Sequence, residues 1–386
     1  MARLGNFIEQ IRGVSYKPED VCSANDSDAI AILRANNIQD DGLNFDDLVF
    51  VKKSKVSNTQ LLRKGDIVVC ASSGSKNLVG KAAIAKENME MSFGAFCKVV
   101  RVKAITAEYL GHYFQSPAYR NLISDLASGA NINNIRNEHI DELDLPVPEK
   151  EIQEEISVQL DKICDLISNR KEQLEKLDLL VKSRFIEMFG DPMLNTKGFQ
   201  LLPYGSLFEL NAGGTPSKKE SRYWDGGTIS WIGSNMCQNE IIYQNDGKYI
   251  TEDGYNNSSA RMFPIDTVLI ALVGATIGKT ALLKFETTTN QNVLGIRKIA
   301  ESFNNPYFVF YYTQGLYNKF LEIGDGGFSM ASKDFVRKLP FPIVPLDLQN
   351  QFAEFVEQTD KLKFEVKEAL EKLETLKKSL MQQYFG

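Results

Sequence analysis

Histidine is nearly absent from this sequence: 386 residues contain only His112 and His139. That excludes His-rich metal centres and chemistry that passes protons through several imidazoles. Cysteine is sparse and scattered. Cys22, Cys70, Cys97, Cys164 and Cys237 form no Cys-x-x-Cys pair, which argues for reduced thiols and against a structural zinc site. No apolar run approaches the ~20 residues needed to span a bilayer. The opening MARLGNFIEQ lacks the apolar core of a signal peptide. The expected setting is cytoplasmic, with no membrane contact. Cations are also in deficit, 44 Lys+Arg against 50 Asp+Glu. The deficit is local: residues 1–142 are net 0, 143–192 net −5, 193–338 net +1 and 339–386 net −2. A neutral domain can still present a basic face to a polyanion.

Residues 149–189 lack both Gly and Pro. Their apolar positions, Ile156, Leu160, Ile163, Ile167, Leu174, Leu177 and Val181, alternate steps of 3 and 4 once Arg170 is counted as a slot. That spacing predicts one long amphipathic helix in a coiled coil. Pro146 and Pro148 precede it, and Gly190-Asp191-Pro192 ends it. At about 1.5 Å per residue it would run roughly 60 Å.

The stretch occurs twice. A shift of 196 places Lys171-Glu172-Gln173-Leu174-Glu175-Lys176-Leu177-Asp178 on Lys367-Glu368-Ala369-Leu370-Glu371-Lys372-Leu373-Glu374. In the same gapless frame Pro146 lies on Pro342, Gln153 on Gln349 and Phe189-Gly190 on Phe385-Gly386. This is an internal repeat.

The intervening segments repeat more weakly. Gly13–Pro18 lies opposite Gly213–Lys218, Lys64–Val68 opposite Pro264–Val268, and Gly80-Lys81 opposite Gly278-Lys279. The first mixes short apolar runs, such as Asp66–Cys70, with Gly/Ser/Asn loops and later helical text near Ala107–Ala127, and the second repeats that plan. The expected class is α+β: two similar mixed α/β domains, 1–142 and 191–338, alternating with helices at 143–190 and 339–386. Antiparallel packing of the two helices would place the domains about an approximate two-fold axis. A duplex shares that symmetry, so such a molecule could touch two different patches up to about 17 base pairs apart at ~3.4 Å each. A symmetric scaffold or protein adaptor fits the same repeat.

Two motifs suggest enzymes and fail on spacing. Gly274–Thr280 approaches a phosphate-binding loop but has three residues between its glycines where four are needed. Its flanks read as two strands around a turn, and the first domain has only Gly80-Lys81-Ala82 there. A hairpin with an exposed lysine, able to reach a phosphate, is the better reading. A nucleotide-dependent enzyme on 274–280 stays as the third alternative. Asn304-Asn305-Pro306-Tyr307 lacks the second proline of the methyltransferase loop Asn-Pro-Pro-Tyr and reads as a helix start at Pro306. Trp224 and Trp231 read as core residues before stacking platforms.

The polar loops offer a third chemistry. Arg34–Asn37, Ser72–Asn77, Asn131–Arg136 and Asn290–Asn292 are surface turns first. Asn, Gln and Arg are also the side chains suited to bidentate contacts with base edges. Recurrence in both domains favours polar recognition.

With these motifs in order, the chain resembles the DNA specificity (S) subunit of type I restriction–modification systems over essentially its whole length. The resemblance rests on Gly-Val-Ser-Tyr-Lys (13–17), Leu-Arg-Ala-Asn-Asn-Ile (33–38), Lys-Gly-Asp-Ile (64–67), Leu-Pro-Val-Pro (145–148) before Glu-Ile-Gln (151–153), and Phe-Gly-Asp-Pro (189–192). In the second half it rests on Gly-Gly-Thr-Pro-Ser (213–217), Trp-Ile (231–232), Gly-Ala-Thr-Ile-Gly-Lys-Thr (274–280) and Pro-Phe-Pro (340–342). The match departs where the Glu-Gln of many members becomes Glu151-Ile152-Gln153 and Asp347-Leu348-Gln349.

The resemblance implies two target recognition domains, each reading one half of a split, asymmetric site on double-stranded DNA. The helices would act as a ruler and bind two methyltransferase (M) subunits, with restriction (R) subunits joining later. It implies no catalysis and no cofactor in this chain. Adenine-N6 methylation would use S-adenosylmethionine in M, and cleavage would use ATP in R. Loop chemistry and resemblance together nominate DNA-binding residues in both domains. In the first they are Arg12, Ser15, Tyr16, Lys17, Arg34, Asn36, Asn37, Ser73, Ser75, Lys76, Lys81, Asn133, Asn134 and Arg136. In the second they are Thr215, Ser217, Lys218, Lys219, Ser234, Asn235, Thr276, Lys279, Asn290, Asn292, Ser329 and Lys333.

Overall fold

The computed structural model describes residues 1–75, 77–128, 134–298, 304–323 and 330–386. The chain divides into two compact units. One is Met1–Gln173 with Val366–Gly386; the other is Leu174–Glu365. The two heptad stretches are helices of 40 residues each, Lys150–Phe189 and Leu346–Phe385. The first stops at Gly190, whose φ of +77° suits glycine and whose N–H donates to Ile186 O at 2.8 Å.

In the first unit an antiparallel sheet runs in the spatial order Ile8–Arg12, Cys97–Val102, Ile67–Cys70, Ala82–Ile84. A second sheet sets Ala29–Leu33 between Val49–Lys52 (antiparallel) and Met91–Phe93 (parallel). The helical text near Ala107 becomes two helices, Ala107–Gln115 and Pro117–Ser128. Ser116 before Pro117 is held extended, which breaks the run. One core joins Ile67, Val69 and Val100 of the sheet to Tyr109, Leu110 and Phe114, to Ile156 and Leu160 of the first long helix, and to Met381 and Phe385 of the second. The two helices run antiparallel in this unit: Tyr384 Oη donates to Gln159 Oε1 at 2.8 Å, and Lys171 meets Glu374 at 3.7 Å.

The second unit repeats that plan. Its main sheet runs Phe208–Ala212, Val293–Lys298, Val268–Ala271, Thr280–Leu283, and adds Glu240–Ile242 in parallel at the edge. Ile229–Ile232 pairs in parallel with Thr287–Thr289, as Ala29–Leu33 does with Met91–Phe93. Helix Pro306–Gly315 starts where its proline predicts, with Asn305 as cap. Its Phe308 ring lies 4.7 Å from Phe189 at the end of the first long helix. Tyr109 lies 5.1 Å from Phe385 in the same relation. The helices are again antiparallel, with Phe185 5.3 Å from Phe352 and Asp178 2.6 Å from Lys363.

The domain repeat needs one correction of register. Sequence matching sets Asp66 against Asp266, but the backbone sets Gly65 against Asp266. Both have positive φ, 85° and 66°, and their N–H groups donate to Ala85 O and Leu283 O, each at 2.8 Å. Asp66 therefore corresponds to Thr267. Strand pairing fixes this register, which a gapless comparison of short loops cannot see.

Candidate nucleic-acid interface

In each unit the nominated loops gather at one end of the main sheet, through backbone pairing. In the first unit Val14 N donates to Phe93 O (2.8 Å), Ala71 N and Ser72 N both reach Phe96 O (2.9 and 3.0 Å), and Ile135 N reaches Ala71 O (2.6 Å). Segment Gly13–Lys17, the Gly94–Cys97 turn, the loop after Cys70 and Asn134–Arg136 are thereby neighbours. The second unit has the same chain of contacts. Gly214 N donates to Thr289 O (2.8 Å), Leu272 N to Asn292 O (2.8 Å) and Ala331 N to Leu272 O (2.8 Å). Thr215 Oγ1 also donates to Gln291 Oε1 at 2.6 Å.

Gly274–Lys279 forms a hairpin between two strands, as its flanks predict. Gly278 and Gly80 have φ of +74° and +80°, and a Cβ at either would meet Phe320 or Ile123 at 2.6 Å. The hairpin lysines are less free than expected. Lys81 Nζ lies 3.2 Å from Asp40 Oδ1, and Lys279 Nζ donates to Gln238 Oε1 at 2.8 Å. One lysine is paired with a charge and the other with a neutral amide.

That contrast recurs at other cations of the cluster, except at Arg12, which is exposed and makes no ion pair among the described residues. In the first unit Lys17 pairs with Glu19 (3.6 Å), Arg34 with Asp47 (2.6 Å) and Arg136 with Glu138 (3.2 Å). In the second, Lys218, Lys219 and Lys333 are exposed and make no ion pair among the described residues. Ser15, Asn36, Ser75, Asn134, Ser217 and Asn235 are exposed, and Tyr16, Ser73, Ser234, Thr276, Asn290 and Asn292 are half-buried. Asn37 is not available to a ligand. It is buried, its Oδ1 accepts from Arg34 N (2.8 Å) and its Nδ2 donates to Asp46 O (2.7 Å), so it holds the loop that carries Arg34 and Asn36. Lys76, Asn133 and Ser329 lie outside the described residues.

Trp231 is core, as expected, and its Nε1 donates to Gly214 O at 3.1 Å. Trp224 is half-buried, 5.3 Å edge-on to Trp231, and its Nε1 donates to Ser217 O at 3.2 Å.

Two residues escaped sequence reasoning. Phe96 stands 69% exposed on the turn that corresponds to Asn290–Asn292; an isolated Phe in a sequence reads as core. Lys98 is buried directly across from Arg12 in the sheet. Its Nζ donates to Gln10 Oε1 (3.0 Å) and Asn137 Oδ1 (2.8 Å). Burial is the main cause that brings its pKa down to about 8, with Arg12 adding to it and Asp141 opposing. Nothing in the local sequence separates this lysine from a solvated one.

Among the described residues there is no cluster of three His, Cys, Asp or Glu side chains fit to hold a metal, and no helix long and apolar enough to cross a membrane.

The family model for the type I restriction modification DNA specificity domain matches the chain twice, over residues 3–177 and 196–377. The StySPI type I restriction enzyme specificity subunit of Salmonella potsdam is 42% identical over 173 residues, 45% of this chain and 37% of that protein. The EcoKI specificity subunit of Escherichia coli K12 is 40% identical over 183 residues, 47% of this chain and 39% of that protein. The matches thus span less than half the length of these relatives. A putative MjaX specificity subunit of Methanocaldococcus jannaschii is 23% identical over 375 residues, 91% of this chain and 85% of its own. Among solved structures, the type I S subunit from M. genitalium superposes with a TM-score of 0.58 at 14% identity, over 100% of this chain and 95% of that one. A chain from a study of type I R-M complex assembly gives 0.57 at 16%, over 99% and 96%. At these identities the likeness concerns the fold.

Proposed function

We propose that this chain, which belongs to the type I restriction modification DNA specificity family, reads a bipartite, asymmetric site on double-stranded DNA, with residues 1–142 on one half-site and 191–338 on the other. The observation that carries this reading is the convergence of the polar loops at the same end of the same sheet in both units. Backbone phosphates are held by Lys and Arg, and Asn, Ser and Arg read base edges. The two clusters differ in sequence, so the two half-sites differ.

The chain has no catalysis of its own. It recruits two M subunits through its paired helices, and R subunits then join. A flank of the coil supports this. Leu166 directly precedes the seam position Ile167, and Leu376 holds the corresponding place on the other helix. In an antiparallel pair such residues face each other beside the seam. Gln159 meets Tyr384 and Lys171 meets Glu374, so Leu166 and Leu376 stand at one level of the first unit. Both are exposed, as is the equivalent pair Leu180 and Leu362 in the second unit. The opposite flank in the first unit is closed by Lys171 and Glu374. Two equivalent apolar patches suit two copies of one partner.

The test is a selection from a random DNA pool with the chain co-expressed with its methyltransferase partner. The expected product is two short, different blocks at a fixed gap. An intact complex that enriches no sequence would overturn the reading in favour of a scaffold.

A further inference from the structure

The two units treat one internal position differently. In the first, Asp66, just before strand Ile67–Cys70, is buried and gripped by Arg101, whose Nε and Nη2 donate to its two oxygens at 2.7 and 2.6 Å. Arg63 N adds a third donor at 2.9 Å. Such a bidentate pair satisfies a buried carboxylate. Ile105 stands nearby in sequence as part of the apolar core.

The second unit keeps the arginine and loses the acid. Arg297 corresponds to Arg101 by strand pairing, since Glu9 faces Arg101 and Glu209 faces Arg297. Asp66 is replaced by Thr267, whose hydroxyl turns away to donate to Pro264 O at 2.8 Å. Ile105 is replaced by Asn304, one place before the helix cap. A cavity of about 240 Å³ has opened there, lined by Thr267, Arg297, Asn304, Asp266, Phe208 and Pro306 among others. Asn304 is 5% exposed, and its Nδ2 finds no hydrogen-bond partner among the described residues. A buried donor without an acceptor is costly. Among the described residues Arg297 reaches only Glu209, at 4.0 Å. Asp266 is already held by Lys284 at 2.8 Å.

We propose that this cavity binds a small carboxylate anion where the first unit carries the Asp66 side chain. The anion would take the Arg297 guanidinium and the Asn304 amide, two cavity-lining donors left without a close acceptor among the described residues. The site is separate from the DNA-reading loops, so the inference stands or falls independently of the proposed function.

The full-length chain is titrated with sodium malonate in a calorimeter and melted in malonate against chloride at equal ionic strength. Saturable heat is expected, with a malonate-specific rise in melting temperature on the order of 3 °C at ten-fold excess. Arg297→Gln, at a half-exposed position that tolerates the change, should lose both. Thr267→Asp should melt higher without ligand and no longer respond, because it supplies the carboxylate internally. Asn304→Ile, the first unit's arrangement, should weaken binding at least ten-fold. No saturable heat in the wild type, or equal responses in the wild type and Arg297→Gln, would overturn the proposal.

Discussion

Gln153 on the first long helix accepts the backbone N–H of Thr106 at 3.0 Å, and Thr106 is the cap of helix Ala107–Gln115. The same amide donates to Pro148 O at 2.8 Å. In the second repeat Gln349 accepts Asn305 N at 2.9 Å and donates to Val344 O at 2.9 Å. Each buried glutamine thus pins the first turn of a long helix to the start of a domain helix. Replacing Gln349 with Leu strands two buried backbone groups and should cost about 2–4 kcal/mol, read from urea unfolding of the whole chain. A change under half a unit of kcal/mol would mean that the pin is ornamental.

The hairpin lysines should act unequally on DNA. Lys279 sits against neutral Gln238, whereas Lys81 shares its charge with Asp40. Lys279→Ala should lower the salt slope of DNA binding by about one unit, and Lys81→Ala by less. Asp40→Asn should tighten binding to random DNA, with the gain shrinking as salt rises. Identical slopes for both lysine variants would refute the asymmetry.

The leucine patches make a stepwise prediction. Leu166→Glu with Leu376→Glu should leave a complex that holds one M subunit, and adding Leu180→Glu with Leu362→Glu should leave none. Mass measurement of the purified complex counts the subunits. Two M subunits retained by the quadruple variant would place the partner elsewhere.

Lys98 should make the first unit respond to alkaline pH in an unusual direction. Its pKa is lowered to about 8 from an ordinary 10.5. Between those values the unfolded chain still binds a proton that the folded chain has released, so this residue adds stability as pH rises from about 8 to 10. Below pH 8 both states hold the proton and the contribution is flat. Buried thiols and phenols act oppositely at higher pH, so the readout is the stability of the wild type minus that of Lys98→Met. A difference that falls across this window would contradict the assignment.

The helices and their repeat were legible in the sequence because a heptad seam is local and a gapless 196-residue shift preserves it. The alternation of two α+β domains was legible for the same reason. The gathering of the loops was not, because it depends on pairings such as Ile135 with Ala71 and Ala331 with Leu272 that no local pattern encodes. Arg34, Asn36 and Asn37 look alike as a polar loop, yet only burial separates the structural Asn37 from its neighbours. Lys81 reads as an exposed cation until Asp40, remote in sequence, is placed beside it.

The first unit's core closes on Met381 and Phe385, whereas the second unit is a single uninterrupted stretch, Leu174–Glu365. During synthesis the earlier-made domain therefore waits. Tyr109 leaves the ribosome well before the Phe385 ring that covers it, while every residue of the later unit has emerged by Glu365. The first unit cannot close its core until helix Leu346–Phe385 is made, and the apolar face of helix Ala107–Gln115 needs shelter in the interval.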